Sequence, residues 1–211
     1  MATTALRRAC IPLLLLLAVL LAASPPAPAQ ESPTAVVEGI NAALLDVMKN
    51  ADELGFEGRR ERLEPALTEN FNFPQMARIA VGPQRWAELS EAERERLTEV
   101  FTRRSIADFA ARFDGYGGER FEVLGEEPGQ RGTVRVENRI VKSSGEPVPI
   151  NYVLREFDGE WRVIDIVLDA KYSELARTRA EYASVLDRRG FEGLIQSLED
   201  KIAQLRTDAG A

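Results

Sequence analysis

The spacing of apolar residues changes period twice along this chain, and that alone confines it to one class of fold. From Val37 to Phe113 apolar residues recur at helical spacing, from Phe121 to Leu168 they alternate, and from Glu174 onward helical spacing returns. Helices, then an antiparallel meander, then helices again make an α+β domain. The first helix carries Val37, Ile40, Leu44, Leu45 and Met48, with Thr34 as its expected N-cap and Gly55 as its stop. A second is expected over Arg59 to Glu69, with a kink at Pro65, and Pro74 opens a short third with Met76, Ile79 and Ala80. Ser90 and Glu93 form a capping box ahead of a long stripe of Leu97, Val100, Phe101, Phe109 and Phe113. The charged run from Glu91 to Arg96 is the solvated face of that helix, and the glycines between Asp114 and Gly118 end it. Two helices close the chain, Glu174 to about Arg188 and Phe191 to about Leu205, with Gly190 between them.

Four strands are expected: one at Phe121 and Val123, then Val134 to Ile140, Val148 to Leu154, and Trp161 to Leu168. Asp158-Gly159 is a two-residue hairpin signal, so Leu154 should oppose Val163, Tyr152 should oppose Asp165 and Ile150 should oppose Val167. A five-residue loop from Ser143 to Pro147 would set Val136 against Leu154, Asn138 against Tyr152 and Ile140 against Ile150. One sheet face is then apolar (Val134, Val136, Ile140, Val148, Ile150, Leu154, Trp161, Val163, Val167), crossed by a single polar row of Asn138, Tyr152 and Asp165. A carboxylate on such a face is costly unless hydrogen-bonded. The row reads as an internal network, as a head-group contact, or as an acid/base group with a raised pKa. Val153, Ile164, Ile166 and Leu168 fall on the other face, so the last two strands should be covered on both sides. This much apolar surface builds either a solid core or a core around a lipid-sized void.

The N-terminus has the layout of a secretory signal peptide: Arg7 and Arg8, an apolar run from Ile11 to Leu21, and Ala27-Pro28-Ala29. The run is too short to span a bilayer, and Cys10 lies ahead of it, where a lipoprotein cysteine would not be. Cleavage after Ala29 leaves one domain, 30–211, of 182 residues, in a bacterial-type periplasm. It carries 25 Lys+Arg against 34 Asp+Glu, a net charge of −9, and neither Cys nor His. Disulfides, thiolate or imidazole metal sites, Cys nucleophiles and histidine acid–base steps are thereby excluded. So acidic a chain is a poor generic binder of nucleic acid. No phosphate loop, dinucleotide fingerprint, nucleophile elbow or EF-hand is present, and Ser143, Ser144 and Ser173 have no activating partner in a recognised motif.

Several signatures then coincide: Phe71 to Gly82 (F-N-F-P-Q-M-A-R-I-A-V-G), Trp86, Ser90, Phe101, and the stripe ending near Tyr116. Trp161-x-Val163-x-Asp165 follows, then Ser173, Tyr182, Leu186, Gly190, Leu194, Leu198 and Lys201. Together they resemble the MlaC family, the periplasmic lipid-binding components of toluene-tolerance-type ABC transport systems. The stretches Phe71 to Val81 and Ala111 to Tyr116 look most like its hopanoid-associated HpnM branch. The resemblance implies helices around a twisted four-stranded antiparallel sheet, an NTF2-like cone enclosing an apolar pocket for lipid chains. It implies shuttling of phospholipid or hopanoid between an outer-membrane lipoprotein complex and an inner-membrane ABC transporter with an MCE-domain subunit, and a monomer is expected. Where many members have Gly-Val-Ser after the last strand, this chain has Lys171-Tyr172-Ser173, a bulkier pair that bears on the pocket mouth.

Two long acyl chains of about 30 methylenes would contribute roughly 24 kcal/mol gross on burial, with no cofactor, metal or catalytic residue required. Phe73, Met76, Ile79, Phe101, Phe109 and Phe113 are expected to face Val136, Tyr152, Leu154 and Val163 across the void. Two alternatives stand beside a carrier. One is a cone-shaped enzyme, related in architecture to ketosteroid isomerase, working through Asn138, Tyr152 and Asp165. The other is an envelope adaptor with a solid core.

Overall fold

The computed structural model describes residues 31–169 and 171–209, so the expected signal peptide and Cys10 lie outside the described residues. Five helices precede the sheet: α1 (Pro33–Lys49), α2 (Ala51–Asn70), α3 (Phe73–Val81), α4 (Pro83–Glu88) and α5 (Glu91–Arg112). The sheet is an antiparallel meander in chain order: β1 (Arg120–Pro128), β2 (Thr133–Val141), β3 (Pro147–Phe157), β4 (Glu160–Leu168) and a two-residue β5 (Tyr172–Ser173). The helical segment α6 (Glu174–Ala209) closes the chain. The class is the expected α+β, with one short edge strand more than the four read from sequence. Among the described residues no helix is long and apolar enough to cross a membrane.

Local chemistry explains the boundaries. The α1 N-cap is Ser32 rather than Thr34, because the Ser32 hydroxyl accepts from the Ala35 amide and Pro33 fits the first helical position. The second helix starts earlier than Arg59, at Ala51, and is broken at Gly55. The capping box of α5 forms as written: the Glu93 amide donates to Ser90 Oγ at 3.3 Å, and the Ser90 amide donates to Glu93 Oε2 at 2.8 Å. Gly190 has φ +66 and breaks α6 into the two helices expected there.

The Asp158-Gly159 hairpin has both central residues at positive φ, the geometry whose twist matches the flanking strands. Phe157 therefore pairs with Glu160 and Leu154 with Val163, as expected. Beyond that point the register differs from the sequence reading. Ile164 is an extra residue in β4, a β-bulge, so Val153 opposes Asp165, Tyr152 opposes Ile166 and Ile150 opposes Leu168. The bulge reverses parity: Ile166 and Leu168 turn to the helix-covered face, in place of Val167. The β2–β3 loop is Lys142–Glu146, which shifts that pairing by two residues: Val136 opposes Tyr152, Val134 opposes Leu154 and Ile140 opposes Val148. A two-residue slip keeps every side chain on its face, so the hydrophobic pattern could not reveal it.

The polar row is thereby dispersed. Asn138, 1% exposed, accepts from Asn41 Nδ2 of α1 at 2.8 Å and donates to the Ile150 carbonyl at 3.2 Å. Its backbone amide donates to Asn151 Oδ1 at 3.1 Å, so a side chain stands in for part of the ladder. Tyr152 is packed edge-on to Phe71, with ring centroids 6.3 Å apart. Asp165 serves the start of α6 instead. The Asn41–Asn138–Asn151 chain pins α1 to the middle of the sheet. Replacing Asn138 by Leu should cost about 1–3 kcal/mol, because the Asn41 amide is left buried without its acceptor. Urea unfolding measures this, and a loss below about 0.5 kcal/mol would show that the network is dispensable.

Candidate functional site

A cavity of about 410 Å³ lies between α5, the start of α6 and the β3–β4 end of the sheet. On α5, Phe101, Arg104, Ser105, Asp108, Phe109, Arg112 and Phe113 line it, spacings of three and four residues that put them on one helix face. The sheet supplies Val148, Pro149 and Ile150 from β3 and Asp165, Ile166 and Leu168 from β4. Phe71, Phe73 and Met76 complete the apolar wall, and Leu175 and Thr178 of α6 face it.

The wall of aromatic rings is continuous. Phe71 and Phe73 stack at 5.4 Å, Phe71 meets Phe109 edge-on at 5.6 Å, and Phe109 stacks on Phe113 at 6.0 Å. Phe71 is held at the edge of β4 by a bridge to Val163, with the Asn72 amide donating to the Val163 carbonyl at 2.9 Å.

Charge lies along the α5–α6 side. Arg104 Nη1 and Asp108 Oδ2 are 3.0 Å apart, with side chains 13% and 19% exposed. Glu174 pairs with Arg177 at 2.9 Å and with Arg112 at 3.5 Å. Burial pushes the Glu174 carboxyl up, but the hydrogen bond from Arg177 and the charges of Arg177 and Arg112 outweigh it and hold it below the usual range. Asp165 is different: burial dominates and raises it, although it accepts from Ser173 Oγ at 2.6 Å and from the amides of Ile166 and Leu175 at 2.8 and 3.0 Å. Ser173 in turn accepts from the Ala176 amide at 2.9 Å, so Asp165 and Ser173 together cap the first turn of α6.

Of the residues singled out from sequence, Phe73, Met76, Phe101, Phe109, Phe113 and Asp165 line the cavity. Val136, Tyr152, Leu154 and Val163 do not; they are fully buried in the packed core beside it. Ile79 is half-buried against that core. The apolar sheet residues lining the cavity include Ile150, Ile166 and Leu168, and the bulge delivers the last two. The Tyr152 hydroxyl is buried without a hydrogen-bond partner, and burial raises its pKa. Asn138, Tyr152 and Asp165 thus have separate neighbours: Asn41, Phe71 and the start of α6. Arg104, Asp108 and Arg112 were missed because charged residues at helical spacing read as a solvated face. Lys171 and Tyr172 do not line the cavity; Tyr172 is 66% exposed between the lining residues Asp169 and Glu174. Among the described residues no group of three or more His, Cys, Asp or Glu is placed to hold a metal ion.

Asp108 gives the site a pH signature. Burial raises its carboxyl above the ordinary 3.8, against the opposing charges of Arg104 and Arg112. The folded protein therefore holds this proton to higher pH than the unfolded chain. The associated stability is complete below the unfolded value and is lost as pH rises through the folded one. Asparagine does not titrate, so the stability of Asp108→Asn relative to wild type should rise with pH from about pH 4 upward. Thermal unfolding at a series of pH values tests this, and a flat or falling difference would refute it.

No curated protein sequence matches the chain. A phospholipid-binding protein from Ralstonia solanacearum, solved in complex with a phospholipid at 1.53 Å, has a similar fold. Its TM-score is 0.73 at 19% identity, over 83% of this chain and 99% of that one. The family model for the MlaC protein matches residues 38–200, and the chain belongs to the MlaC family.

Proposed function

We propose that this protein is a periplasmic lipid carrier. A lipid chain would lie in the cavity between α5 and the sheet, with its head group at the charged α5–α6 side. The observation that carries the reading is the cavity itself, an aromatic-walled space of about 410 Å³ beside the packed core. That size falls within the range of small-molecule sites, roughly 300–1,000 Å³. An acyl chain buried against the aromatic wall would gain about 0.8 kcal/mol per methylene. Membership of the MlaC family supports the reading, as does the phospholipid held by the Ralstonia protein of similar fold.

The signal-peptide pattern at residues 1–29 supports export and a mature domain of 30–211. The proposed partners are an outer-membrane lipoprotein complex and an inner-membrane ABC transporter with an MCE-domain subunit, between which the carrier moves as a monomer. The ligand is a phospholipid or a hopanoid-type lipid. Native mass spectrometry of the protein purified from its own envelope separates the two by mass. Absence of any bound lipid, under conditions that retain lipid on a known carrier, would overturn the proposal.

Ser105 offers a variant that blocks the cavity with little disturbance. Its side chain lines the cavity and donates only to the Phe101 carbonyl of its own helix, at 2.8 Å. Ser105→Trp should fill the space and lower retained lipid at least about tenfold, since excluding two methylenes already costs that much. Retention unchanged in a folded Ser105→Trp protein would place the lipid elsewhere.

A further inference from the structure

The cavity shares a wall with a second space. A groove of about 490 Å³ lies between α5 and the β3–β4 hairpin, touched by Thr68, Asn72, Thr98, Thr102, Phe157 and Arg162. Phe71 and Phe73 line both the groove and the cavity. Their order along α5 shows how the spaces are arranged. Thr98 and Thr102 meet the groove, Phe101 lies edge-on to Phe73 at 6.4 Å, and the cavity residues run on from Arg104 to Phe113. Two stacked rings, both almost wholly buried, therefore stand between the aromatic-walled cavity and a groove of mixed polarity.

The two rings are not equally fixed. Phe71 is bridged to β4 and packs against Phe109 and Tyr152 as well as Phe73. Among the described residues Phe73 has ring partners only in Phe71 and Phe101, and it sits on the first turn of α3. From Phe101 to Arg112, α5 advances about 16 Å at 1.5 Å per residue. A zigzag chain of roughly 1.5 Å bonds advances about 1.25 Å per carbon, so this length takes about 13 carbons. We infer that Phe73 is the end wall of the cavity and sets the length of acyl chain it admits; a longer chain continues only if that ring gives way to the groove. The inference rests on the carrier reading and names the residue that determines specificity within it.

Competition between lysophosphatidylcholines carrying a myristoyl or a stearoyl chain tests it, with occupancy read by native mass spectrometry of the purified protein. In the wild type the extra methylenes of stearoyl stay at the mouth, and the two ligands should bind within about threefold of each other. Phe73→Ala opens the wall, and stearoyl should then win by about tenfold, short of the full gain because the groove is partly polar. Phe73→Leu keeps the core filled if alanine unfolds the protein, and should shift the ratio about threefold in the same direction. Variants that bind myristoyl but keep the wild-type ratio would overturn Phe73 as the wall. Failure of either ligand to bind any of the proteins would instead overturn the carrier reading, and the inference with it.

Discussion

Ile164 has no partner in β3, and much of the architecture follows from that one unmatched residue. A strand presents alternate side chains to alternate faces, so an extra residue exchanges the faces of everything beyond it. Ile166 and Leu168 are thereby turned toward the helices and become cavity wall. Asp165 leaves the cross-strand row and meets the amide of Leu175 and the hydroxyl of Ser173, where it caps α6. A carboxylate at a helix N-terminus is favoured by the helix dipole, and three donors oppose part of the cost of burying it there. The direction of α6, and with it the far side of the cavity, depends on this cap.

The remaining walls are fastened by different means. Phe71 is tied to the β4 edge through backbone contacts at Val163, which sets the aromatic wall against the sheet instead of leaving it to side-chain packing. The Asn41–Asn138 bond holds α1 over the sheet at the opposite side. Helices α5 and α6 are joined by Arg96–Glu192, too accessible to contribute much to stability, and by the part-buried, two-bonded Arg103–Glu199 pair. Packing of Phe101 against Tyr182, with ring centroids 6.4 Å apart, is the stronger link between those helices.

How much could be read in advance varied with the range of the interaction. The α5 capping box, the Asp158-Gly159 turn and the break at Gly190 are each encoded within a few residues, and each forms as written. The stripe on α5 was legible too: Phe101, Phe109 and Phe113 share a face and do line the cavity. Arg104 and Asp108 lie on that same stretch of helix, yet nothing local distinguishes a carboxylate beside a cavity from one in water. Val136, Tyr152, Leu154 and Val163 had the right face and the wrong neighbours, because facing inward does not say whether a side chain meets a void or another side chain.

Period and turns are properties of a single segment, and the sequence by itself determined the α+β class, the order of the main elements and which of the four long strands are adjacent. Membership of the MlaC family was also legible, since it rests on motifs in order along the chain. The tertiary structure decided the pairing of β2 with β3, the bulge at Ile164 and the partners of Asn138 and Asp165. A slip of two residues leaves hydrophobic periodicity unchanged, so only cross-strand and helix–sheet contacts can choose between such registers. The cavity belongs to the same category. It is the space left where the packing of several elements does not close, and no single segment carries a record of it.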